Sequence, residues 1–491
     1  MAGKVRSQWS DREFWQWVSR AVFANPFSEQ RLELDRRIAG TFKNEDERAE
    51  FLRRAVSAQV RKLECRGAGQ LRSYSGEERD MMRHVFLFEA FHRFYDQLDR
   101  LIEEQIRAGD QPVRVGFGAE ALALLAQRGF PQDEAARFFG IFFQARRAYF
   151  FLVHGLSGES PCMRESRRHL WDNVFTHDIR WYDRYLLNRM EEFSTLLLGE
   201  TGTGKGTAAA AIGRSGFIPY DDKQHRFAVS FTRSFVALNL SQHPETLIES
   251  ELFGHRKGAF TGAVEAHEGI FARCSPHGAI FLDEIGDVST PVQVKLLQVL
   301  QERTFSPVGS REKLRFRGRV IAATNHPLES LRDKKLFRDD FFYRLCSDVI
   351  VVPPLRQRLQ ESEGELDELI ERLVRRMTGA AAPELVALVR EVLEAGVGRQ
   401  YLWPGNVREL EQAVRRILLT RCYDPGSLGA TPNVRDDLFA GIDRGSLDAD
   451  AVLARYCALL HQRHGTFEAV ARRTNLDRRT VKKYLLQAGI R

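Results

Sequence analysis

The chain has 491 residues, 43% of them hydrophobic and 28% charged, with a formal net charge of +7. A length of this order implies about three or four domains, and the composition is that of a globular protein, not of a disordered one. No apolar run approaches the roughly 18 residues a bilayer requires; the nearest, around Phe138 to Val153, is broken by Gln144, Arg146 and Arg147.

The opening stretch, Met1 to Phe14, has no apolar signal core, so a cytoplasmic protein with no membrane partner is expected. Cysteines at 65, 162, 274, 346, 422 and 457 show no CxxC or Cys/His spacing. They suggest neither a disulfide framework nor a zinc site.

Residues 1–155 read as a helical domain. Met81 to Phe94 places apolar residues at helical spacing, and its many aromatics read as core because no polar constellation accompanies them. No phosphoacceptor aspartate sits in a strand–helix alternation, so the signal this domain senses is not legible. A Gly/Ser/Pro cluster from Gly155 to Arg164 marks its end.

Phe193 to Leu198 is a short buried-strand pattern, followed at once by Gly199-Glu200-Thr201-Gly202-Thr203-Gly204-Lys205 and an alanine-rich helix. Strand, glycine loop and helix in that order form a phosphate cradle, in which backbone N–H groups hold the phosphates and Lys205 neutralises the β and γ oxygens. Gly206 follows the lysine where a general phosphate loop has Ser or Thr for Mg²⁺, and Thr207 comes one position late. Magnesium should therefore depend on the carboxylates at the end of the apolar strand Gly278 to Asp283, with Asp283 orienting the metal and Glu284 polarising the attacking water. A further strand, Arg319 to Asn325, ends in Thr324 and Asn325, placed to sense the γ-phosphate from the next position in a parallel sheet.

Between these motifs lies Gly258-Ala259-Phe260-Thr261-Gly262-Ala263, four small residues that free a tight turn with two side chains at its tip. Arg338 and Arg344 stand amid aromatics that would anchor a helix. Beyond Pro354 the pattern is helical to about Arg421, and Pro404 and Gly405 break it so that Asn406 can cap a helix and aim Arg408 at the nucleotide. Tyr423 to Ser446 reads as a linker. From Leu447 onward basic residues outnumber acidic ones, and Thr466 to Asp477 followed by Arg478 to Leu486 gives helix, turn, helix. Arg478, Arg479, Thr480, Lys482 and Lys483 are the DNA-contacting candidates.

Taken together, residues from about 156 to the C-terminus resemble the bacterial enhancer-binding proteins, AAA+ transcriptional activators that work on sigma-54 RNA polymerase. Gly258 to Ala263, within Glu251 to Ala263, is the most specific motif. The resemblance implies a multidomain chain: a helical regulatory domain (1–155), an α/β P-loop ATPase core (156–355), a helical lid (356–422), a linker (423–446) and an all-α, Fis-type helix-turn-helix (447–491). It makes Gly199 to Lys205, extended through Gly206 and Thr207, the ATP loop, Asp283 and Glu284 the acidic pair, and Thr324 with Asn325 the first sensor. Asn239 becomes the residue that restrains Glu284, Arg338 and Arg344 the arginine fingers, Arg408 the second sensor, and Phe260 and Thr261 the sigma-contacting tip. ATP and Mg²⁺ are the implied cofactors. Sigma-54 polymerase, double-stranded enhancer DNA and further copies of the chain, as a hexamer with a dimer as resting form, are the implied partners.

Two departures from that pattern stand out. Gly206 replaces the acidic residue common after the lysine, and Gly213 to Arg233 is longer than the usual connection. Alternatives in other classes are a DNA-binding regulator on a degenerate ATPase scaffold and an AAA+ machine acting on another protein. Removal of residues 1–155 is expected to alter ATPase or transcription with DNA binding intact.

Overall fold

The computed structural model describes residues 11–333, 336–398, 401–425 and 447–487, with single positions between 438 and 445. Residues 1–386 together with 402–414 cluster as one compact unit; residues 387–401 and 415–491 form a second.

The first unit opens with helices α1 (Asp11–Ala21), α2 (Glu29–Ala39), α3 (Glu45–Cys65), α4 (Gly76–Arg93), α5 (Tyr95–Ala108), α6 (Gly118–Arg128) and α7 (Gln132–Gly155). Ser28 and Asn44 cap α2 and α3 by accepting from the N–H of Arg31 and of Glu47. Much of the aromatic content predicted to be core is core: Phe86, Phe94 and Phe139 are buried to 1% exposure or less. α7 ends at Gly155 and α8 (Pro161–Phe175) begins with proline at its first turn, so the helix breaks at the Gly/Ser/Pro cluster, while residues on both sides of the break belong to the same compact unit.

A five-stranded parallel sheet follows, in the order β4 (Phe235–Asn239), β5 (Ala279–Asp283), β8 (Arg319–Thr324), β1 (Thr195–Leu198) and β9 (Asp348–Val351), and β8 is buried along its whole length. Between β5 and β8 in the chain, β6 (Thr304–Phe305) and β7 (Leu314–Arg315) form a short antiparallel pair. Continuous apolar strands of this kind require cover on both faces. α9 (Lys205–Gly213) packs on one face, with Ala208, Ala209, Ala211 and Ile212 against Leu197, Phe281 and Ile321. On the other, α10 (Glu245–Phe253), α11 (Thr290–Glu302) and α12 (Asp339–Leu345) close a second core through Leu252, Leu296 and Phe341. The parallel order brings the C-terminal ends of β4, β5, β8 and β1 to one edge, where Asn239, Asp283, Thr324 and the 199–204 loop meet.

The long connection after Gly213 forms a hairpin, β2 (Tyr220–Asp221) with β3 (Arg226–Phe227). It belongs to the N-terminal core: Ile218, Tyr220, Phe227 and Phe231 are buried in the same cluster as α4 to α7. Phe227 stacks on Phe143 at 4.2 Å, and Tyr220 meets Phe139 edge-on at 4.9 Å. Gly118 permits this close approach, because a Cβ there would lie 2.1 Å from the Tyr220 hydroxyl.

After β9 the chain is helical: α13 (Leu355–Glu361), α14 (Glu365–Thr378), α15 (Pro383–Gly396) and α16 (Asn406–Thr420). In the second unit α17 (Ala449–His464), α18 (Phe467–Thr474) and α19 (Arg478–Gln487) pack around Cys457, Val470, Val481 and Leu485. Asp448 and Thr466 cap α17 and α18, and Asn475, at φ 55°, ends α18 in the left-handed region. The predicted linker lies largely outside the described residues. Among the described residues no helix is long and apolar enough to cross a membrane.

Candidate active site

A cavity of about 660 Å³ opens over the sheet edge, between the N terminus of α9, the carboxylates of β5 and helices α14 and α16. The 199–204 loop reaches it because its glycines take backbone angles other residues resist: φ is +83° at Gly202 and +105° at Gly204. Gly202 is also sterically obligatory, since a Cβ would meet the Gly405 carbonyl at 2.3 Å. Lys205 folds back along this loop, its Nζ donating to the Gly199 carbonyl at 2.8 Å and to that of Glu200 at 3.2 Å. Burial pushes its ammonium below the usual value, against the pull of Glu284 and Asp283. A buried cation held on carbonyls beside a helix N terminus is an anion site.

The two acids differ in what they touch. Asp283 Oδ2 accepts from Asn239 Nδ2 at 3.4 Å, as the register pairing of Asn239 with Asp283 requires. Asn239 is thus paired with Asp283 and not with Glu284, the partner the resemblance implied; its Oδ1 accepts from the Ser241 N–H and hydroxyl. Glu284 sits in the left-handed region at φ 55°, and its Oε2 is buried with no hydrogen-bond partner among the described residues. A strained backbone that presents an unsatisfied carboxylate toward a cavity is the kind of cost that a site, not a scaffold, carries.

Other predicted residues are distributed as follows. Thr207 and Arg408 line the same cavity as Lys205, Asp283, Glu284 and Asn239. Gly206 needs no special angle, and a Cβ there would meet only Phe281, at 3.8 Å. Asn325 reaches the loop, its Nδ2 3.4 Å from Thr201 Oγ1, whereas Thr324 is fully buried with its hydroxyl accepting from the His326 N–H. Arg338 and Arg344 do not line the cavity. Arg338 is half exposed in an ion pair with Asp340 at 3.0 Å, and Arg344 donates to Glu192 and to the Leu300 carbonyl.

Asn406 is placed differently from the expected helix cap. Fully buried at φ 54°, it accepts the Leu355 N–H at 2.8 Å and donates to Glu200 Oε2 and the Thr201 carbonyl, both at 3.1 Å. The capping is done instead by Glu409, which accepts the Gly405 N–H. Glu200, read only as a loop position, is also paired with Arg356 at 2.5 Å. Sequence reading missed Arg356, Arg358 and Glu365. The last two form a fully buried pair at 2.7 Å, and Glu365 also accepts the N–H groups of Glu159 and Ser160.

Away from the cavity, Gly258 and Gly262 take φ of +79° and +102° in a turn closed by the Gly258 N–H on the Ala263 carbonyl. Phe260 and Thr261 are exposed, Phe260 resting edge-on against His255 at 4.9 Å. In the second unit Arg478, Arg479, Lys482 and Lys483 are exposed on α19, with Thr480 half-buried. Arg478 pairs with Glu468 at 2.8 Å.

Residues 182–351 match the Sigma-54 interaction domain family. That stretch is about a third of the chain, and it is this region that resembles the sigma-54-dependent regulators. The chain is 36% identical over 315 residues to the hydrogenase transcriptional regulatory protein HoxA of Cupriavidus necator, a match covering 61% of each chain. To the Nif-specific regulatory protein of Azotobacter vinelandii it is 43% identical over 223 residues, 45% of this chain and 39% of that one. To the sigma54-dependent transcriptional activator SfnR of Pseudomonas putida it is 41% identical over 236 residues, 48% and 58% of the two chains. The chain thus spans about half the length of the curated relatives it matches. Among solved structures it is similar to NtrX from Brucella abortus in complex with ATP, at 22% identity and a TM-score of 0.42, covering 76% of this chain and 82% of that one. The family-matched residues, 182–351, contain the central sheet and the 199–204 loop.

Proposed function

We propose that the chain is an ATP-driven activator. Bound to upstream DNA through α19, a ring of subunits hydrolyses ATP and uses the Gly258–Ala263 turns to remodel the closed complex of sigma-54 RNA polymerase. The observation that carries this is the cavity itself, where Lys205, Asp283 and Glu284 meet at the end of a glycine loop within a sigma-54 interaction domain.

The triphosphate lies over the N terminus of α9, where backbone N–H groups from Gly202 to Gly206 and the Lys205 ammonium bind the β and γ oxygens. Base and ribose take the far end of the cavity, against Gly155, Leu156, Leu369 and Leu373. Arg408, beside Gly202, faces the phosphates from α16.

Among the described residues no cluster of three or more His, Cys, Asp or Glu could hold a metal by itself. Asp283, with nucleotide oxygens and water, fits Mg²⁺, which keeps most of its waters and asks for few protein ligands. Mg²⁺ would supply neutralisation of the phosphate charge. Glu284, with its free buried oxygen, accepts the proton of the attacking water. Arg338 and Arg344, outside their own cavity, serve a neighbouring subunit's site and stabilise the charge of the transferred group.

Hydrolysis changes what Asn239, Asn325 and Arg408 contact, and the exposed Phe260–Thr261 tip is the two-state element that sigma-54 reads. Promoter opening by sigma-54 polymerase, measured together with DNA-stimulated ATPase, tests the proposal. Hydrolysis without opening by the full chain would reject it.

A further inference from the structure

The helical region holds a second, partly open cavity, of about 680 Å³, between α3, α4, α7 and the 179–184 segment. That volume is typical of small-molecule sites. Its walls are aromatic: Phe88, Phe91, Phe138, Phe142, Tyr95 and Trp171 all contribute.

Although the lining contains several arginines, almost all of their charge is already met. Arg31 and Arg48 pair with Asp35, Arg146 with Asp99, Arg137 with Asp183, Arg83 with Glu134 and Arg180 with Asp178. Only Arg184, exposed at the rim, has no carboxylate partner among the described residues. A carboxylate or phosphate ligand would have to compete with each of these pairs, so an uncharged ligand is favoured.

Two imidazoles supply polarity without charge. His84 Nδ1 is bonded to Ser19 Oγ at 2.8 Å and His92 Nδ1 to the Phe88 carbonyl at 2.9 Å, and neither Nε2 has a partner among the described residues. Burial keeps both rings neutral, pushing His84 down to about 4 and His92 to about 3. The carbonyl bond makes His92 Nδ1 the donor, which leaves Nε2 as an acceptor.

α7 connects this cavity to the nucleotide site. One face, Phe138, Phe142, Ala145 and Tyr149 at helical spacing, lines the aromatic cavity. The opposite face holds the end of α9: Arg147, fully buried, donates to the Arg214 carbonyl at 2.7 Å and the Gly216 carbonyl at 2.8 Å, and Gln144 donates to that of Ser215 at 2.9 Å. The C terminus of α7, Gly155, is a wall of the nucleotide cavity and lies against Thr207. Arg372 of α14 grips the carbonyls of Val153 and His154.

We propose that the aromatic cavity binds an uncharged, planar aromatic small molecule bearing a hydrogen-bond donor, and that α7 transmits its occupancy to the phosphate-binding helix. The second half rests on the reading of the cavity over α9 as the ATP site; the first does not.

The probe is N-phenyl-1-naphthylamine, a neutral aromatic amine, titrated by fluorescence into the full chain, with its sulfonated relative 8-anilino-1-naphthalenesulfonate as the charged counterpart. The neutral probe should saturate at one per chain and bind at least about tenfold more tightly than the sulfonate. Ala145→Trp on α7 and Ala49→Trp on the α3 wall, each checked for native circular dichroism, should each weaken it by about tenfold or more. Unsaturable uptake, binding indifferent to both folded variants, or equal binding of the sulfonate overturns the site. Hydrogen exchange in the 205–216 peptide should slow when the probe saturates the wild-type chain. Unchanged exchange with saturated binding overturns the transmission and leaves the ATP reading standing.

Discussion

Asn406 offers the sharpest test of how the helical segment reads the nucleotide loop. It makes three hydrogen bonds, to the Leu355 N–H, Glu200 and the Thr201 carbonyl, from a left-handed backbone at φ 54°. Asn406→Ala leaves the buried Leu355 N–H unpaired, at about 1–3 kcal/mol, and puts a Cβ without a compensating side chain in the left-handed region, at about 1–2 kcal/mol. Asn406→Gly incurs only the first cost, so it should be the more stable of the two by about 1 kcal/mol. Asn406→Asp keeps the acceptor for Leu355 but turns a donor to Glu200 into a second carboxylate about 3 Å away. Repulsion there should push the loop outward and weaken a fluorescent ATP analogue by about tenfold, some 1.4 kcal/mol, while thermal stability falls least of the three. Equilibrium binding and melting of the three purified variants provide both readouts. If Asn406→Asp binds nucleotide as wild type does, or alanine and glycine melt together, the side chain does not couple α16 to the loop.

Glu284→Gln should retain nucleotide and lose hydrolysis by about 10² to 10⁴-fold, measured as phosphate release; near-normal turnover would dismiss Glu284 as the base. Mixing Glu284→Gln subunits with Arg344→Ala subunits should restore some ATPase, because some of the mixed interfaces carry an intact pair; no recovery over either parent excludes an in-trans finger. Thr261→Ala should keep ATP hydrolysis and assembly and lose promoter opening, and a variant that opens promoters normally would remove the turn as output device. For Arg479→Ala with Lys483→Ala, DNA binding should weaken across sequences, with the salt slope reduced by about 1 for each phosphate-binding cation removed. An unchanged footprint would place DNA elsewhere.

The sheet and its motifs were legible because each combined a short apolar run with a terminal residue of known chemistry. Gly199 to Lys205 and Asp283-Glu284 needed only the parallel order of β1, β8 and β5 to meet. Asn406, Arg356 and Glu365 were not legible, since their partners lie about 50 to 200 positions away and a polar residue after Pro-Gly reads locally as a cap. The aromatic helices show a different limit. Helical periodicity identifies the buried face of α4 and α7 but does not distinguish a packed neighbour from a cavity wall, and the polar constellation that would have decided it, His84, His92 and the paired arginines, converges from separate helices.

The hairpin after Gly213 changes what removal of the N-terminal region can be expected to show. Cutting away residues 1–155 would uncover Ile218, Tyr220, Phe227 and Phe231, all now 7% exposed or less. Exposing four such side chains costs on the order of 6–12 kcal/mol, comparable with the whole stability of a domain. Arg147 and Gln144, which hold the carbonyls at the end of α9, would go with the same cut. The expected outcome is therefore an aggregating or misfolded ATPase core, and not a derepressed one. Replacing residues 217–233 in that truncation by a short Gly/Ser linker removes the exposed aromatics and should recover monodisperse protein on size exclusion. A simple truncation that is monodisperse and hydrolyses ATP like the full chain would mean that the hairpin's burial contributes little, and that the N-terminal helices are separable from the motor after all.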